Sequence, residues 1–340
     1  MKIVKKILSI FLRVGISILL LIFLFRRVDT HSVFGIIKNA ARLKLVFAFL
    51  VFFSAYILAI LRWEILLKGA QIHLPFKRII ISFAGGVFFN LFMPSTIGGD
   101  LVRSIDLAAH TRKTKEVVAT VLLDRLSGYL GLVIVAIIAA LLGWHYILYQ
   151  SVLLSLGIII FLLVVILLVL FNTSIYARLN KLLTNSRTAG HRKEASLKER
   201  IKEIIKNLHH EIHVFRHKKR IIVNNLMLSV IIQITTPLTF YIIALALGLK
   251  IPLLYFFIFL PIITAITLLP ISIGGLGLRD ATTIFFFAKA GVSKDLAFAM
   301  SLVNFSFILI CAGLGGLIYV LTVHHRRLQH NPQPSLQRQL

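Results

Sequence analysis

Two short segments of the sequence, residues 94–103 and 270–279, combine a proline, a glycine pair and an arginine. The segments align at a spacing of 176 residues with five identities in ten positions. Glycine permits backbone conformations in which successive N–H groups form a concave anion site. An arginine in the first turn of the following helix can hold a phosphate through two parallel hydrogen bonds. The pattern therefore predicts two places that can bind an anionic group.

The predicted substrate-binding residues are the arginines and glycines of these motifs, together with one arginine of the following apolar segment: Arg103, Arg279, Arg125, Gly98, Gly99, Gly274 and Gly275. Pro94 and Pro270 are predicted to break the helices that lead into the motifs. The alternative interpretation is that the breaks only shape two kinks. Recurrence of the break with its arginine in both halves favours the functional interpretation.

Asp124 and Arg125 lie about two turns into an apolar segment, where an unpaired charge is costly. Neighbouring residues on a helix do not face each other, so each should have a different partner. The candidate partners are Arg103, Asp100, Arg279 and Asp280. Asp124, Asp100 and Asp280 are predicted either to couple transport to a proton or to form structural ion pairs, and both alternatives stay open.

Some polar residues have simpler predicted roles. Asp100 could cap the helix that follows the first motif, a role with no equivalent at Leu276. Arg62 and Glu64 are predicted to be interfacial anchors, with Trp63 at the level of the lipid headgroups. His209, His213 and His217 have helical i,i+4 spacing but few acidic neighbours, so no metal site is predicted.

The composition identifies a membrane protein. Of 340 residues, 58% are hydrophobic, compared with roughly 45 to 50% in soluble domains. The net charge of +26 comes from lysines and arginines beside the apolar segments. This placement indicates membrane orientation and contact with anionic lipids, and argues against nucleic acid as a partner. The single cysteine, Cys311, excludes a disulfide framework.

Apolar windows predict six full spans, near residues 7–25, 45–61, 117–142, 147–171, 221–247 and 297–321. Residues 79–93 and 252–269 each lead into a motif, and each region is predicted to form a helix, a broken turn and a short returning helix. The predicted fold is an all-α polytopic membrane protein with two broken re-entrant hairpins. The domain covers residues 1–322, with inverted-repeat cores 45–142 and 221–321 and a polar cytoplasmic tail at 323–340.

The distribution of basic residues predicts the orientation. Residues 172–220 contain thirteen Lys and Arg but four Glu, so this loop and both termini should be cytoplasmic. Within the loop, apolar residues at helical spacing between 201 and 215 predict an amphipathic helix, either on the membrane surface or packed on the protein. Loop 26–44 is assigned to the outside although it carries five basic residues; if it is cytoplasmic, the first segment does not cross. The expected location is the bacterial cytoplasmic membrane.

The sequence resembles the flippase-like membrane domain family over about residues 5–322. This family includes the transmembrane region of bacterial lysylphosphatidylglycerol synthetases and their stand-alone relatives. The residues that carry the resemblance are Pro94, Gly98, Gly99, Asp100, Arg103, Asp124, Arg125, Pro270, Gly274, Gly275, Gly277 and Arg279. In two-domain relatives the membrane region moves an aminoacylated phospholipid between leaflets, and a separate soluble domain makes that lipid. The resemblance implies transport, and we expect no synthetase domain in this chain.

Three functions are compatible with the sequence. The first is a flippase or transporter for a phospholipid or a polyprenyl-phosphate-linked lipid. The second is a non-transporting scaffold that binds a lipid-modifying or glycosylating enzyme through the basic loop 178–220. The third, a membrane-embedded transferase, would need a catalytic acidic pair, which only Asp100, Asp124 and Asp280 could supply. Because no nucleotide-binding or hydrolase motif occurs in a suitable context, the sequence favours a protein without enzymatic activity or cofactor.

Overall fold

The computed structural model describes residues 28–93, 98–111, 113–143, 218–268 and 272–329, with isolated positions at 15–26 and 154–158. All regular structure in these residues is helical. The helices are α1 (Thr30–Lys38), α2 (Arg42–Gly69), α3 (Phe76–Phe92), α4 (Gly98–Thr111), α5 (Thr114–Leu142), α6 (Lys219–Ala246), α7 (Leu253–Thr267), α8 (Leu278–Ala288) and α9 (Lys294–Gln329), with a 3-10 turn at Ile273–Gly275 between α7 and α8.

Four of the described helices are long and apolar enough to cross a membrane: α2, α5, α6 and the Lys294–Thr322 part of α9. They correspond to four of the predicted spans. The helix α2 has 28 residues and continues seven residues beyond Arg62, whereas the apolar window ended at residue 61. The predicted spans near 7–25 and 147–171, and the basic loop up to residue 217, lie largely outside the described residues.

The first motif lies in a hairpin formed by α3 and α4. The two helices pack with their backbones in contact, because a Cβ atom at Gly99 would lie only 2.2 Å from the carbonyl oxygen of Gly86. A side chain at Gly99 would therefore separate α4 from α3. Pro94, the predicted helix break, lies outside the described residues.

The second motif lies between α7 and α8. Gly274, Gly275 and Gly277 have φ angles of 57°, 77° and 76°, a backbone region that residues with a Cβ atom avoid. The carboxylate of Asp280 accepts a hydrogen bond from the Gly277 N–H at 3.1 Å and caps α8. A cap was predicted only for the helix after the first motif, and the Asp280 cap is an addition to that prediction. Pro270 lies outside the described residues.

One end of the helical bundle, named here the α1 face, carries α1 and the connections on either side of it. The Ala41 N–H donates to the carbonyl oxygen of Ala246 at 2.9 Å, which joins the start of α2 to the end of α6. The Asp29 N–H donates to the Asp295 carboxylate at 3.3 Å, which places the start of α9 at the same end. Loop 26–44 and loop 248–251 therefore lie on one face, in agreement with their common assignment.

The opposite end, named the α3 face, contains the start of α3. The Lys218 ammonium donates to the carbonyl oxygen of Gly69 at 2.6 Å, and that of Lys113 donates to Gln71 at 3.2 Å. These contacts place the end of α2, the start of α6 and the junction of α4 with α5 together at the α3 face. The hairpin α3–α4 consequently opens at the α3 face, whereas α7–α8 opens at the α1 face.

Aromatic packing holds the second hairpin in place. Phe256 and Phe259 of α7 are buried against Phe287 of α8, with ring centroids 5.0 and 5.5 Å apart. Aromatic pairs of this kind contribute roughly 0.5 to 1.5 kcal/mol each beyond the burial of their area. The apolar core thus fixes the two helices that present the second glycine turn.

Candidate functional site

The carboxylate of Asp124 joins three helices near the middle of the bundle. This residue lies on α5 and is 3% exposed. Its Oδ1 accepts a hydrogen bond from Nε of Arg62 on α2 at 2.7 Å, and its Oδ2 accepts one from Nη2 of Arg103 on α4 at 2.9 Å. Since buried charges are tolerated when they are paired and hydrogen-bonded, Asp124 fixes both arginines and ties the first hairpin to the long helices.

The predictions that Arg62 is an interfacial anchor and that Trp63 lies among the lipid headgroups were wrong. Arg62 is buried, and its Nη1 also donates to the hydroxyl of Ser229 on α6 at 3.1 Å. Trp63 is fully buried, and its indole N–H donates to Thr120 at 3.3 Å. The reason is that α2 continues for about two more turns, which places both residues inside the bundle. Glu64 instead forms a pair with the exposed Lys68 at 2.8 Å.

A second acidic residue, Asp100, lies in the first turn of α4. Its carboxylate accepts a hydrogen bond from Nε of Arg125 and lies 3.1 Å from Nε of Arg103. Arg125 also donates to the Tyr129 hydroxyl at 3.1 Å. Asp124 and Arg125 therefore have different partners, as their adjacency on a helix predicts. Two of these partners, Arg103 and Asp100, are among the four candidates, whereas Arg62 and Tyr129 are not. Arg62, Asp100, Arg103, Asp124 and Arg125 are named the charge cluster below.

The charge cluster lines a cavity of about 230 Å³ between α2, α3, α4 and α5. Its other lining residues are Ala59, Phe83, Gly86, Val87, Asn90 and Gly99. Three guanidinium groups and two carboxylates give the cluster a formal charge of +1. The side-chain oxygen of Asn90 is buried and has no hydrogen-bond partner in the described structure. The cavity therefore provides fixed charges, an excess of positive charge and a free polar atom.

The described residues of the two motifs do not line the same cavity. Gly99 lines the cavity, and Gly98 packs beside it against Met93. Arg279 is not among the described lining residues, and its guanidinium group lies against the ring of Phe305, 5.2 Å from the ring centre. No described contact joins Arg279 to Arg103.

The end of α3 stands between the cavity and the second turn. Asn90 lines the cavity, while the backbone of the next residue, Leu91, lies near the second motif. A Cβ atom at Gly274 would lie 3.9 Å from the Leu91 carbonyl oxygen. The glycine turn thus reaches the first hairpin close to the point where α3 ends, although the two motif arginines are directed elsewhere.

Metal ligands are not grouped in the described part of the chain, where no cluster of three or more His, Cys, Asp or Glu side chains occurs. The histidines at 209–217 lie outside it.

Long apolar helices around a buried charged cavity define a multi-pass α-helical membrane protein. The family model for the lysylphosphatidylglycerol synthase TM region matches residues 10–316, and the chain belongs to this family. The resemblance found in the two glycine motifs is confirmed by this match.

Curated relatives are similar over most of their length. A UPF0104 membrane protein of Pyrococcus horikoshii, PH1989, is 27% identical over 271 residues, which cover 76% of this chain and 80% of the relative. Two UPF0104 membrane proteins of Methanothermobacter thermautotrophicus are 24% and 25% identical, over 77% and 72% of this chain and 78% and 75% of the relatives. No solved structure shows significant similarity to the chain.

Proposed function

We propose that the protein moves a phospholipid or a polyprenyl-phosphate-linked lipid between membrane leaflets. The observation that carries this proposal is the cavity with three guanidinium groups among apolar helices. An anionic headgroup cannot enter hydrocarbon unless fixed polar groups replace its water. The charge cluster supplies such groups, and this role involves neither a reaction nor a cofactor.

The size of the cavity matches a headgroup without its lipid chains. Sites for drug-sized ligands occupy roughly 300 to 1,000 Å³, whereas this cavity has about 230 Å³. On α4, which carries part of the cluster, Leu101 and Ile105 lie one turn apart and are 57% and 61% exposed. The chains of the lipid would lie along this apolar outer surface while the headgroup occupies the cavity.

Within the charge cluster, the pair Arg125–Asp100 is the more accessible one. The side chains of Arg125 and Asp100 are 20% and 17% exposed, whereas those of Arg103 and Asp124 are 5% and 4% exposed. In our proposal the lipid phosphate replaces Asp100 as the partner of Arg125. Asp124 keeps the deeper arginines in place during this exchange, so that the cavity retains its shape.

The orientation of the hairpins supports alternating access. The hairpin α3–α4 opens at the α3 face and α7–α8 opens at the α1 face, as inverted-repeat transporters require. We interpret these two hairpins as related by an inverted repeat. In this proposal the α3 face, which carries Lys77, Arg78, Lys113 and Lys115, is the cytoplasmic side of a bacterial inner membrane.

The experiment is leaflet exchange of fluorescent phospholipids and polyprenyl phosphates in proteoliposomes. Arg125→Ala should lower the exchange rate by about tenfold or more, because a charge-assisted hydrogen bond contributes roughly 1.5 to 3 kcal/mol. Arg42→Ala is the matched control, since Arg42 is exposed at the start of α2. Both variants should elute like the wild type, which shows that they fold.

Two results would contradict the proposal. Equal exchange rates in wild type and a folded Arg125→Ala variant would remove Arg125 from the transport site. No exchange of any lipid by the wild type, with an imposed proton gradient as well, would favour the alternative in which the protein is a scaffold for a lipid-modifying or glycosylating enzyme.

A further inference from the structure

Two donor atoms of the arginine in the second motif are buried without a hydrogen-bond partner in the described structure. The side chain of Arg279 is 12% exposed. Its Nε and Nη2 atoms are both buried, and neither has a hydrogen-bond partner within the described structure. An arginine always carries its charge, and a buried charge without a partner is strongly destabilising. This position therefore requires a compensating group.

The adjacent carboxylate does not satisfy Arg279. The Oδ1 atom of Asp280 lies 3.9 Å from Nε of Arg279, which is too far for a hydrogen bond. This oxygen already accepts the hydroxyl proton of Ser301, and Oδ2 accepts the Gly277 N–H. Asp280 thus holds the start of α8. The ring of Phe305 covers the guanidinium group, a contact that leaves the N–H donors unused.

The first motif differs in this respect. Its arginine, Arg103, lies near two carboxylates, those of Asp100 and Asp124. The position that corresponds to Asp100 in the second motif is Leu276. The second motif therefore keeps the arginine and the glycines but lacks the acidic residue that neutralises the first one.

The free atoms of Arg279 have a specific geometry. Nε and Nη2 form the side edge of a guanidinium group, where two N–H bonds point in parallel and match two oxygens of one oxyanion. The hydroxyl of Ser272, which precedes the glycine turn, is also buried and has no partner in the described structure. Gly274, in the same turn, is exposed, so a ligand can approach the turn at this residue.

We propose that the turn from Ser272 to Arg279 is a phosphate-binding site, separate from the cavity of the charge cluster. Two phosphate oxygens would accept from Nε and Nη2 of Arg279, and a third would accept from the Ser272 hydroxyl. The phosphate group could belong to a membrane phospholipid or to free inorganic phosphate. The site does not depend on transport, because it requires only that a phosphate group reach the turn.

The test is calorimetric titration of the purified full chain in an uncharged detergent. The probes are dihexanoyl phosphatidylglycerol, inorganic phosphate and, as a phosphate-free control, dihexanoylglycerol. All proteins carry Arg125→Ala, so that the cavity of the charge cluster contributes little to binding. Arg279→Gln should weaken phosphate binding by about tenfold or more, and Ser272→Ala by about threefold to tenfold. Arg42→Gln, which alters an exposed arginine, should leave the affinity unchanged.

Binding of phosphatidylglycerol alone would identify a lipid phosphate, and binding of both phosphate probes would identify a site open to free phosphate; both support the site. Binding of neither probe, or an equal affinity in Arg279→Gln, would overturn it. If Arg279→Gln does not fold, the result rests on Ser272→Ala, and unchanged affinity in that variant also overturns the site. Phosphate binding without leaflet exchange in the wild type would refute the transport function and leave this site intact.

Discussion

Replacing Asp124 by asparagine tests whether the charge cluster ties the first hairpin to the long helices. The carboxylate accepts hydrogen bonds from Arg62 and Arg103, and an amide keeps one acceptor oxygen while turning an NH₂ group toward the other guanidinium. Breaking a buried ion pair costs about 3 to 5 kcal/mol. Because Arg103 keeps Asp100 at 3.1 Å, we expect the lower end of this range, about 3 kcal/mol, or roughly a 150-fold change in the unfolding equilibrium.

The assay is reversible unfolding of Asp124→Asn in mixed micelles with increasing sodium dodecyl sulfate. Tryptophan fluorescence reports on the cluster, since the Arg103 guanidinium lies 4.8 Å from the centre of the Trp63 ring. Glu64→Gln is the matched control, because it removes a carboxylate from a pair with the exposed Lys68. Such surface pairs contribute about 0 to 1 kcal/mol.

A change of less than about 1 kcal/mol in the free energy of unfolding of Asp124→Asn, as expected for the control, would refute this role of Asp124. The cluster would then contribute little to holding the helices together, and its hydrogen-bonded geometry would need another cause. A loss confined to Asp124→Asn, with the control unchanged, supports the role of Asp124 as the common partner of two arginines.

Two further predictions concern the hairpins. Gly99→Ala should lower the free energy of unfolding by about 1 to 3 kcal/mol, because its Cβ would lie 2.2 Å from a carbonyl oxygen of α3; Gly35→Ala, with no atom within 4 Å, should not destabilise the protein in the same unfolding assay. In a Cys311→Ser background, an impermeant maleimide should label Lys250→Cys in intact cells, and Lys115→Cys only after permeabilisation. Labelling of both from one side would show that the α1 and α3 faces are not on opposite sides of the membrane.

The long helices could be predicted from the sequence because hydrophobic length is a local property. The structure extends α5 over Thr114–Leu142, where the apolar window predicted 117–142. The same criterion predicted too short a span for α2, because the charge of Arg62 ended the apolar window. A charge interrupts a window even when a distant residue neutralises it, and the partner of Arg62 is Asp124, 62 residues later.

The charge cluster could be predicted only in part. Because Asp124 and Arg125 are adjacent on one helix, they were expected to need separate partners. Arg103 and Asp100 were candidate partners because they were expected at a similar depth in the membrane. The contacts of Arg62 with α5 and α6 could not be predicted, because they depend on how α2 packs between other helices. The sequence contains one further signal. Leu276 stands where the first motif has the acidic residue Asp100, so the two aligned motifs differ in their acidic residue at this position.

The depth of the two hairpins has an electrical consequence. At 1.5 Å per residue, α3 extends about 25 Å from one face and α7 about 22 Å from the other, which together exceed the roughly 30 Å of hydrocarbon. The glycine turn that follows α7 comes close to the end of α3, since a Cβ atom at Gly274 would lie 3.9 Å from the carbonyl oxygen of Leu91. A membrane voltage is worth about 2.3 kcal/mol per elementary charge per 100 mV. The junction lies within the hydrocarbon layer by these lengths, so the proposed movement of an anionic lipid past it should depend on the membrane voltage.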